Sequence, residues 1–179
     1  MKKGWFSGAS ARCVGPLALI VSALVTIGCD RVTKHVATAM LAGMPGRSYW
    51  ADTVRVEYVE NPGGFLSMGA GLQPAARWAL FTVSTGIALL MLAILTVQRR
   101  TNRLTTLGLT LFVAGGASNW LDRVARGTVV DFLNVGVGSL RTGIFNVADV
   151  AIMFGVGLFV LAEFRKGKGL EPLGFHDGA

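Results

Sequence analysis

Charge is scarce in this chain. Of its 179 residues only 15% are Asp, Glu, Lys or Arg, whereas 52% are hydrophobic; an ordinary soluble domain carries about 25% charged residues. That leaves too few charges to cover a soluble surface, and so apolar a composition excludes a disordered chain. Cysteine is equally thin, since Cys13 and Cys29 alone cannot build a disulfide scaffold. The two histidines, His35 and His176, lack metal-ligand spacing, so neither a metal nor another cofactor is expected. HExxH, GxSxG and Walker sequences are also missing. No Ser has a nearby membrane His to activate it, which excludes a Ser-His hydrolase. These absences leave a small integral membrane protein, read as one domain over residues 1–179.

What is present is a set of long uncharged runs: 13–29, 78–98, 104–121, and 144–162 broken only by Asp149. A bilayer core takes roughly 20 mostly apolar residues per helix. Backbone groups in lipid must be paired internally. An all-α membrane protein with four transmembrane helices is therefore expected. Lys2, Lys3 and Arg12, then Arg99, Arg100 and Arg103, then Arg165, Lys166 and Lys168 would share one side. That bias makes both termini, 1–12 and 165–179, cytoplasmic. The formal net charge of +7 is then mainly a topology signal, and no nucleic-acid partner is implied. Gly28-Cys29 after an apolar run imitates a lipoprotein cleavage site. Thr26 stands where such sites carry Leu, and 30–41 continues in helical style, so an uncleaved first span is expected.

Two segments would lie outside. In 42–74, Val54, Val56 and Tyr58 alternate with Arg55 and Glu57, the pattern of a half-buried strand. Asn61-Pro62-Gly63-Gly64 ends it with turn residues, giving a small β-cradle on the bilayer. Segment 126–143 contains Gly127, Gly136, Gly138 and Gly143 and reads as a mobile glycine-rich loop able to close over a site. Gly155 and Gly157 read as close helix packing.

Polar residues gather at the outer ends of the runs. Asp30 and Lys34 are four apart, in the favourable order for a helical ion pair. Asn119, Asp122 and Arg123 end the third run on one face, and Arg123 is positioned to neutralise Asp122. Asn146 and Asp149 open the fourth run three apart. Asp131 and Asp149 have no adjacent cation, and acids at such depth are costly. Two readings stand. Brought together, the two carboxylates would share a proton and perform acid/base chemistry on a water and a leaving group. Kept apart, they would be unrelated acids, Asp149 simply favouring a helix N-terminus.

Taken together, Asp30-Arg31-Val32-Thr33-Lys34, Asn61-Pro62-Gly63-Gly64-Phe65, Asn119-Trp120-Leu121-Asp122-Arg123, Gly127-Thr128-Val129-Val130-Asp131-Phe132 and Phe145-Asn146-Val147-Ala148-Asp149 resemble the ordered signature of bacterial lipoprotein signal peptidase, or signal peptidase II. The resemblance runs from about residue 30 to 155. It implies an intramembrane aspartyl endopeptidase that needs no cofactor, is inhibited by globomycin, and cuts diacylglyceryl-modified prolipoproteins just before the lipidated cysteine. By position it implies Asp131 and Asp149 as the catalytic pair. Asn61, Asn119, Arg123 and Asn146 would support it, Asp122 would orient Arg123 or the loop, and Asp30 and Lys34 would form a structural pair. Substrate and membrane lipid are the implied partners, a monomer the implied state, and the outer, periplasmic face of a bacterial inner membrane the implied side of the site. The pattern departs at Ser118, where the family has Gly, and at Phe65 and Leu66, where the family's order is a small residue then Phe; Pro62 stiffens the same turn. These departures leave room for a divergent paralogue with fewer substrates. From other classes, a non-catalytic binder of lipidated peptides and a small proton-coupled carrier fit the polar residues less completely. Loss of effect in Asp131→Asn argues against the binder, and a proteoliposome transport assay tests the carrier.

Overall fold

The computed structural model describes residues 15–64, 67–98 and 102–167. Helix α1 spans Pro16–Leu41, α2 Pro74–Gln98, α3 Arg103–Arg126 and α4 Val147–Gly167. Strands β1 (Arg47–Tyr49) and β2 (Val54–Asn61) lie between α1 and α2. Strands β3 (Val129–Val137) and β4 (Leu140–Arg141) lie between α3 and α4. The four strands form one antiparallel sheet in the order β1-β2-β3-β4.

Local chemistry sets the helix ends. Pro16 and Pro74 occupy first-turn positions, where the missing N–H costs no helical bond. The Asn102 side chain accepts the Thr105 N–H at 2.8 Å, capping α3. Gly127 ends α3 at φ 76, a left-handed conformation that glycine adopts without Cβ strain. Within α2, Ala79–Ser84 is π-helical. There the Trp120 indole N–H donates to the Thr82 carbonyl at 2.8 Å, one way the loosened turn is satisfied.

Three helices are long and apolar enough to cross a membrane: Pro16–Leu41, Pro74–Gln98 and Val147–Arg165. Their large apolar side chains point outward, as with Leu24, Leu90 and Phe154, each more than half exposed. The expected fourth run lies in α3, which packs against α1, α2 and α4. Its inward residues are small or polar, among them Thr105, Thr106, Gly108, Ser118, Asn119 and Asp122, and they dilute its apolar character. The molecule is a membrane protein of helices with a small antiparallel sheet.

The sheet departs from the sequence reading in one respect. Segment 126–143, expected as a mobile glycine-rich loop, carries β3 and β4. Val129 and Val130 are buried, and Val130 and Phe132 pack with Ala37 and Leu41 of α1. The β-branched and aromatic residues outweigh the glycines. Gly136 itself is a packing position, since a Cβ there would collide with the Leu140 carbonyl oxygen. In β2, Val56 and Tyr58 lie against that core as expected, although the register shifts between Val56 and Val59 and Glu57 is half-buried too.

Helices α3 and α4 meet at glycines. A Cβ on Gly108 would lie 2.6 Å from the Gly155 carbonyl oxygen, and one on Gly155 would lie 2.5 Å from that of Gly108. Close backbone approach of this kind is how membrane helices gain packing energy. Gly157, expected to serve the same purpose, has nothing within 4 Å of its Cβ position. Gly155→Ala should therefore lower the thermal unfolding midpoint in detergent, with an overpacking cost of about 1–3 kcal/mol, and Gly157→Ala should leave it unchanged or slightly raised. Equal midpoints for the two variants would contradict this contact.

Candidate active site

The site forms where the sheet meets the helix ends, and it begins with a buried charge cluster. Lys34 Nζ lies 2.7 Å from Asp30 Oδ2 and 2.8 Å from Asp122 Oδ2. Arg31 Nη2 lies 2.5 Å from Asp122 Oδ1. Asp30 is 0%, Asp122 2% and Lys34 4% exposed. Charges so buried must be fully paired, and these balance, two acids against two bases. The expected partnership of Asp122 with Arg123 is not the one observed. Asp122 turns toward α1, because that side holds two cations that need it. Arg123 reaches the other way and donates from Nη2 to the Gly63 carbonyl at 2.6 Å.

From Lys34 the order passes to side-chain amides. Lys34 Nζ donates to Asn119 Oδ1 at 2.6 Å, so the Asn119 amide must present its NH₂ in the other direction. That group donates to Asp149 Oδ1 at 2.9 Å. Asn146, 0% exposed, joins the two acids. Its Nδ2 donates to Asp131 Oδ1 at 2.6 Å, and its Oδ1 accepts the Asp149 N–H at 3.0 Å. The Asn146 N–H in turn donates to Asp149 Oδ2 at 3.1 Å. The last two bonds make a reciprocal cap at the start of α4. Asp149 thus caps its helix, one of the two readings open from sequence, while also facing the site. Asn61 completes the set. Its Oδ1 accepts the Gly63 N–H at 2.9 Å, and its Nδ2 donates to Asp131 Oδ2 at 2.9 Å.

Each dyad oxygen therefore accepts one N–H from a donor whose orientation is set by another bond. Asp131 and Asp149 line one cavity of about 530 Å³, shared with Asn61, Asn119 and Arg123. Its remaining walls are largely apolar, including Phe81, Leu89, Phe112 and Ile152. A polar rim above an apolar pocket suits a substrate with a peptide bond at one end and an apolar body at the other. Among the described residues no group of three or more His, Cys, Asp and Glu side chains converges as a metal site.

Seven sequence-selected residues, Asn61, Asn119, Arg123, Asp131, Asn146, Asp149 and Lys34, meet in this network, and Asp30 and Asp122 brace it from α1 and α3. Ser118, the departure from the family pattern on α3, is not on the cavity lining. It is 0% exposed, and its Oγ donates to Asp30 Oδ2 at 2.7 Å. Phe65 and Leu66 lie outside the described residues. Arg31 and Phe81 escaped the sequence reading. Spacing along the helix pairs Asp30 with Lys34 and leaves Arg31 without an assigned partner, and nothing in the sequence around Phe81 sets it apart from other span residues.

Helices that cross a membrane, a sheet at their ends and two carboxylates over an apolar cavity define a membrane-embedded peptidase architecture. A solved bacterial membrane enzyme, determined by the in meso method at 2.3 Å, shares the fold with a TM-score of 0.74 over 89% of this chain and 94% of its own, at 23% identity. The family model for signal peptidase (SPase) II matches residues 22–165. The lipoprotein signal peptidase of Azoarcus sp. is 34% identical over 158 residues, 87% of each chain. That of Desulforapulum autotrophicum is 32% identical over 143 residues, 79% of this chain and 88% of its own. The chain belongs to the signal peptidase II family of membrane proteases.

Asp131 lies on β3, outside the spans. Burial, more than any other cause, raises its carboxyl from 3.8 to about 6; Asn61 and Asn146 oppose the rise, and Asp149 adds to it. A raised folded-state value means that the protonated acid favours the fold. Its contribution is complete below the unfolded value of about 3.9 and is lost as pH rises through about 6. Relative to Asp131→Asn, which stays neutral, the wild type should lose stability in detergent between about pH 4 and pH 7. A difference between the two midpoints that is flat across that window would contradict the assignment.

Proposed function

We propose that Asp131 and Asp149 cut the signal peptide of a diacylglyceryl-modified prolipoprotein just before its lipidated cysteine, a reading in keeping with the relatives' name, lipoprotein signal peptidase. The observation that carries this reading is Asn146, one buried residue whose side-chain amide donates to the Asp131 carboxylate and whose backbone N–H donates to that of Asp149, beside an apolar cavity that both acids line. Asp149 acts as the base. It takes a proton from a water, and the resulting hydroxide adds to the scissile carbonyl carbon. Asp131, protonated up to about pH 6, gives its proton to the carbonyl oxygen as the tetrahedral intermediate forms. Collapse of the intermediate breaks the C–N bond: a diol hydroxyl returns its proton to Asp131 as the product carbonyl re-forms, and the proton now on Asp149 goes to the leaving amine. Burial keeps both acids from ionising together. The Arg123 Nε is buried and without a hydrogen-bond partner among the described residues, which leaves donor capacity for a substrate carbonyl.

In this reading all four helices cross the inner membrane and the termini are cytoplasmic. The sheet and the site face the periplasmic side, and the protein works as a monomer. The basic residues flanking α1, α2, α3 and α4 in sequence support that orientation. A reporter fused to the C-terminus should read cytoplasmic, and one inserted at Gly46 should read periplasmic; the reverse pattern would reject it.

For the chemistry, Asp131→Asn and Asp149→Asn should each lower cleavage of a purified diacylglyceryl-modified prolipoprotein by at least about 10²–10⁴. The double variant should be little worse, because the two groups act as a unit. Asp122→Asn should behave differently, since it weakens the pairing of Lys34 and Arg31. Breaking a buried pair costs about 3–5 kcal/mol, so this variant should lose thermal stability before it loses chemistry. Cleavage above a few per cent of wild type in either dyad variant would defeat the assignment.

A further inference from the structure

A second hollow, about 330 Å³, lies between the outer end of α1 and the first two strands. One wall is Val32, Val36 and Met40, and the other is Tyr49, Val56 and Phe132. The walls are apolar, yet Arg47 stands on the lining. The Arg47 side chain is exposed and makes no hydrogen bond or ion pair among the described residues. Glu57, on the neighbouring strand, has its side chain against Gly46. The other hairpin charges are committed: Arg55 Nε and Nη2 bond the Asp52 carboxylate at 2.7 and 2.6 Å.

What covers this hollow follows from its continuity with the spanning face of α1. Val21, Val25, Val32, Val36 and Met40 are 49%, 57%, 63%, 46% and 62% exposed. With Cys29, also exposed, they are spaced four or three apart, so they form one ridge along the helix. An acyl chain lying on that ridge at membrane depth runs directly into the hollow. Beyond it, Trp50 is 77% exposed in a turn where Trp50, Ala51 and Asp52 all have positive φ, at 52°, 50° and 65°. Three successive left-handed non-glycine residues are strained backbone. The Asp52 bonds from Ser48 and Arg55 hold that strain. The turn presents an indole beside a tyrosine, the residue pair enriched where hydrocarbon meets headgroups.

We propose that this hollow seats an anionic phospholipid of the surrounding bilayer, with one acyl chain on the Val21–Met40 ridge and the phosphate at Arg47. The seat is separate from the cavity of Asp131 and Asp149, and it holds or fails independently of the dyad assignment. A zwitterionic lipid presents the same chain but screens its phosphate with its own cation, so the unpaired Arg47 selects for net negative charge.

The test uses the full-length protein in nanodiscs of phosphatidylcholine doped with a photoactivatable phosphatidylglycerol or phosphatidylcholine probe, with crosslinked residues mapped by mass spectrometry. The expected result is phosphatidylglycerol label concentrated on residues 32–40 and 47–50. Arg47→Gln should lower that yield about fivefold, the factor one interfacial cation contributes, and Arg47→Lys should retain most of it. Cleavage in plain phosphatidylcholine nanodiscs should be the same for all three proteins, which shows that the variants are folded. Any of three results would overturn the proposal. They are label spread evenly over the exposed faces of α2 and α4, equal yields from the two probes, and crosslinks at 32–50 that join two copies of the chain.

Discussion

Everything at the site hangs on a lysine ammonium held away from water. Lys34 is 4% exposed, and three oxygens on two helices surround it: Asp30 on its own helix, and Asp122 and Asn119 on α3. An ion so buried is tolerated only when its partners are complete. That requirement fixes the rotation of α3 against α1. It also fixes which end of the Asn119 amide faces the cavity. With the oxygen spent on Lys34, only the NH₂ remains for Asp149. A carboxylate outside the cluster is thereby oriented by a cation it does not touch.

The same logic extends through Asp30. Its two oxygens accept from Lys34 and Ser118 on one side and from the Ala148 N–H on the other, the last at 2.9 Å. Since Ala148 is in the first turn of α4, the buried pair also anchors the helix that carries Asn146 and Asp149. Ser118 adds a donor on this hidden side of the site. Its hydroxyl therefore bears on how firmly α4 is held, and substrate selection falls to residues that line the cavity. Strand β3 delivers Asp131 from the opposite direction, through its pairing with β2 at Val59. Asp131 and Asp149 are thus brought together from a sheet and a helix end that both pack on α1.

Arrangement of polar groups in this way has a cost that the membrane sets. Away from bulk water an N–H or oxygen needs a protein partner, and most polar groups where α1, α3 and α4 meet the sheet find one another, while the Nε atoms of Arg31 and Arg123 are buried without one among the described residues. Outside that network the helices are apolar and exposed, and α3 and α4 approach at Gly108 and Gly155. The sheet closes one end of the cavity, with Gly63 receiving Arg123 and Gly64 lying against Phe81.

The sequence by itself determined the membrane class, the outward apolar faces, the half-buried β2, and the polar positions that converge. Long uncharged runs, strict alternation and acids without neighbours are local signals, legible wherever the solvent changes from water to lipid. Three features were decided only by tertiary structure. Asp122 looks toward Arg123 in sequence, yet it serves Arg31 and Lys34, because burial compels each charge to the partner that completes it. The glycines of 126–143 indicate a loop, yet Val129, Val130 and Phe132 bury against α1 and make a strand, because a pre-formed apolar face rewards extended backbone more than glycine penalises it. Asp149 reads equally well as a helix cap or a reactive acid. It is both bonded as a cap and turned to the cavity, a combination that requires Asn119 to arrive from a helix thirty residues away. Spacing along a chain records what a residue can do; which neighbour it meets depends on how the helices are rotated, and here a buried lysine sets that rotation.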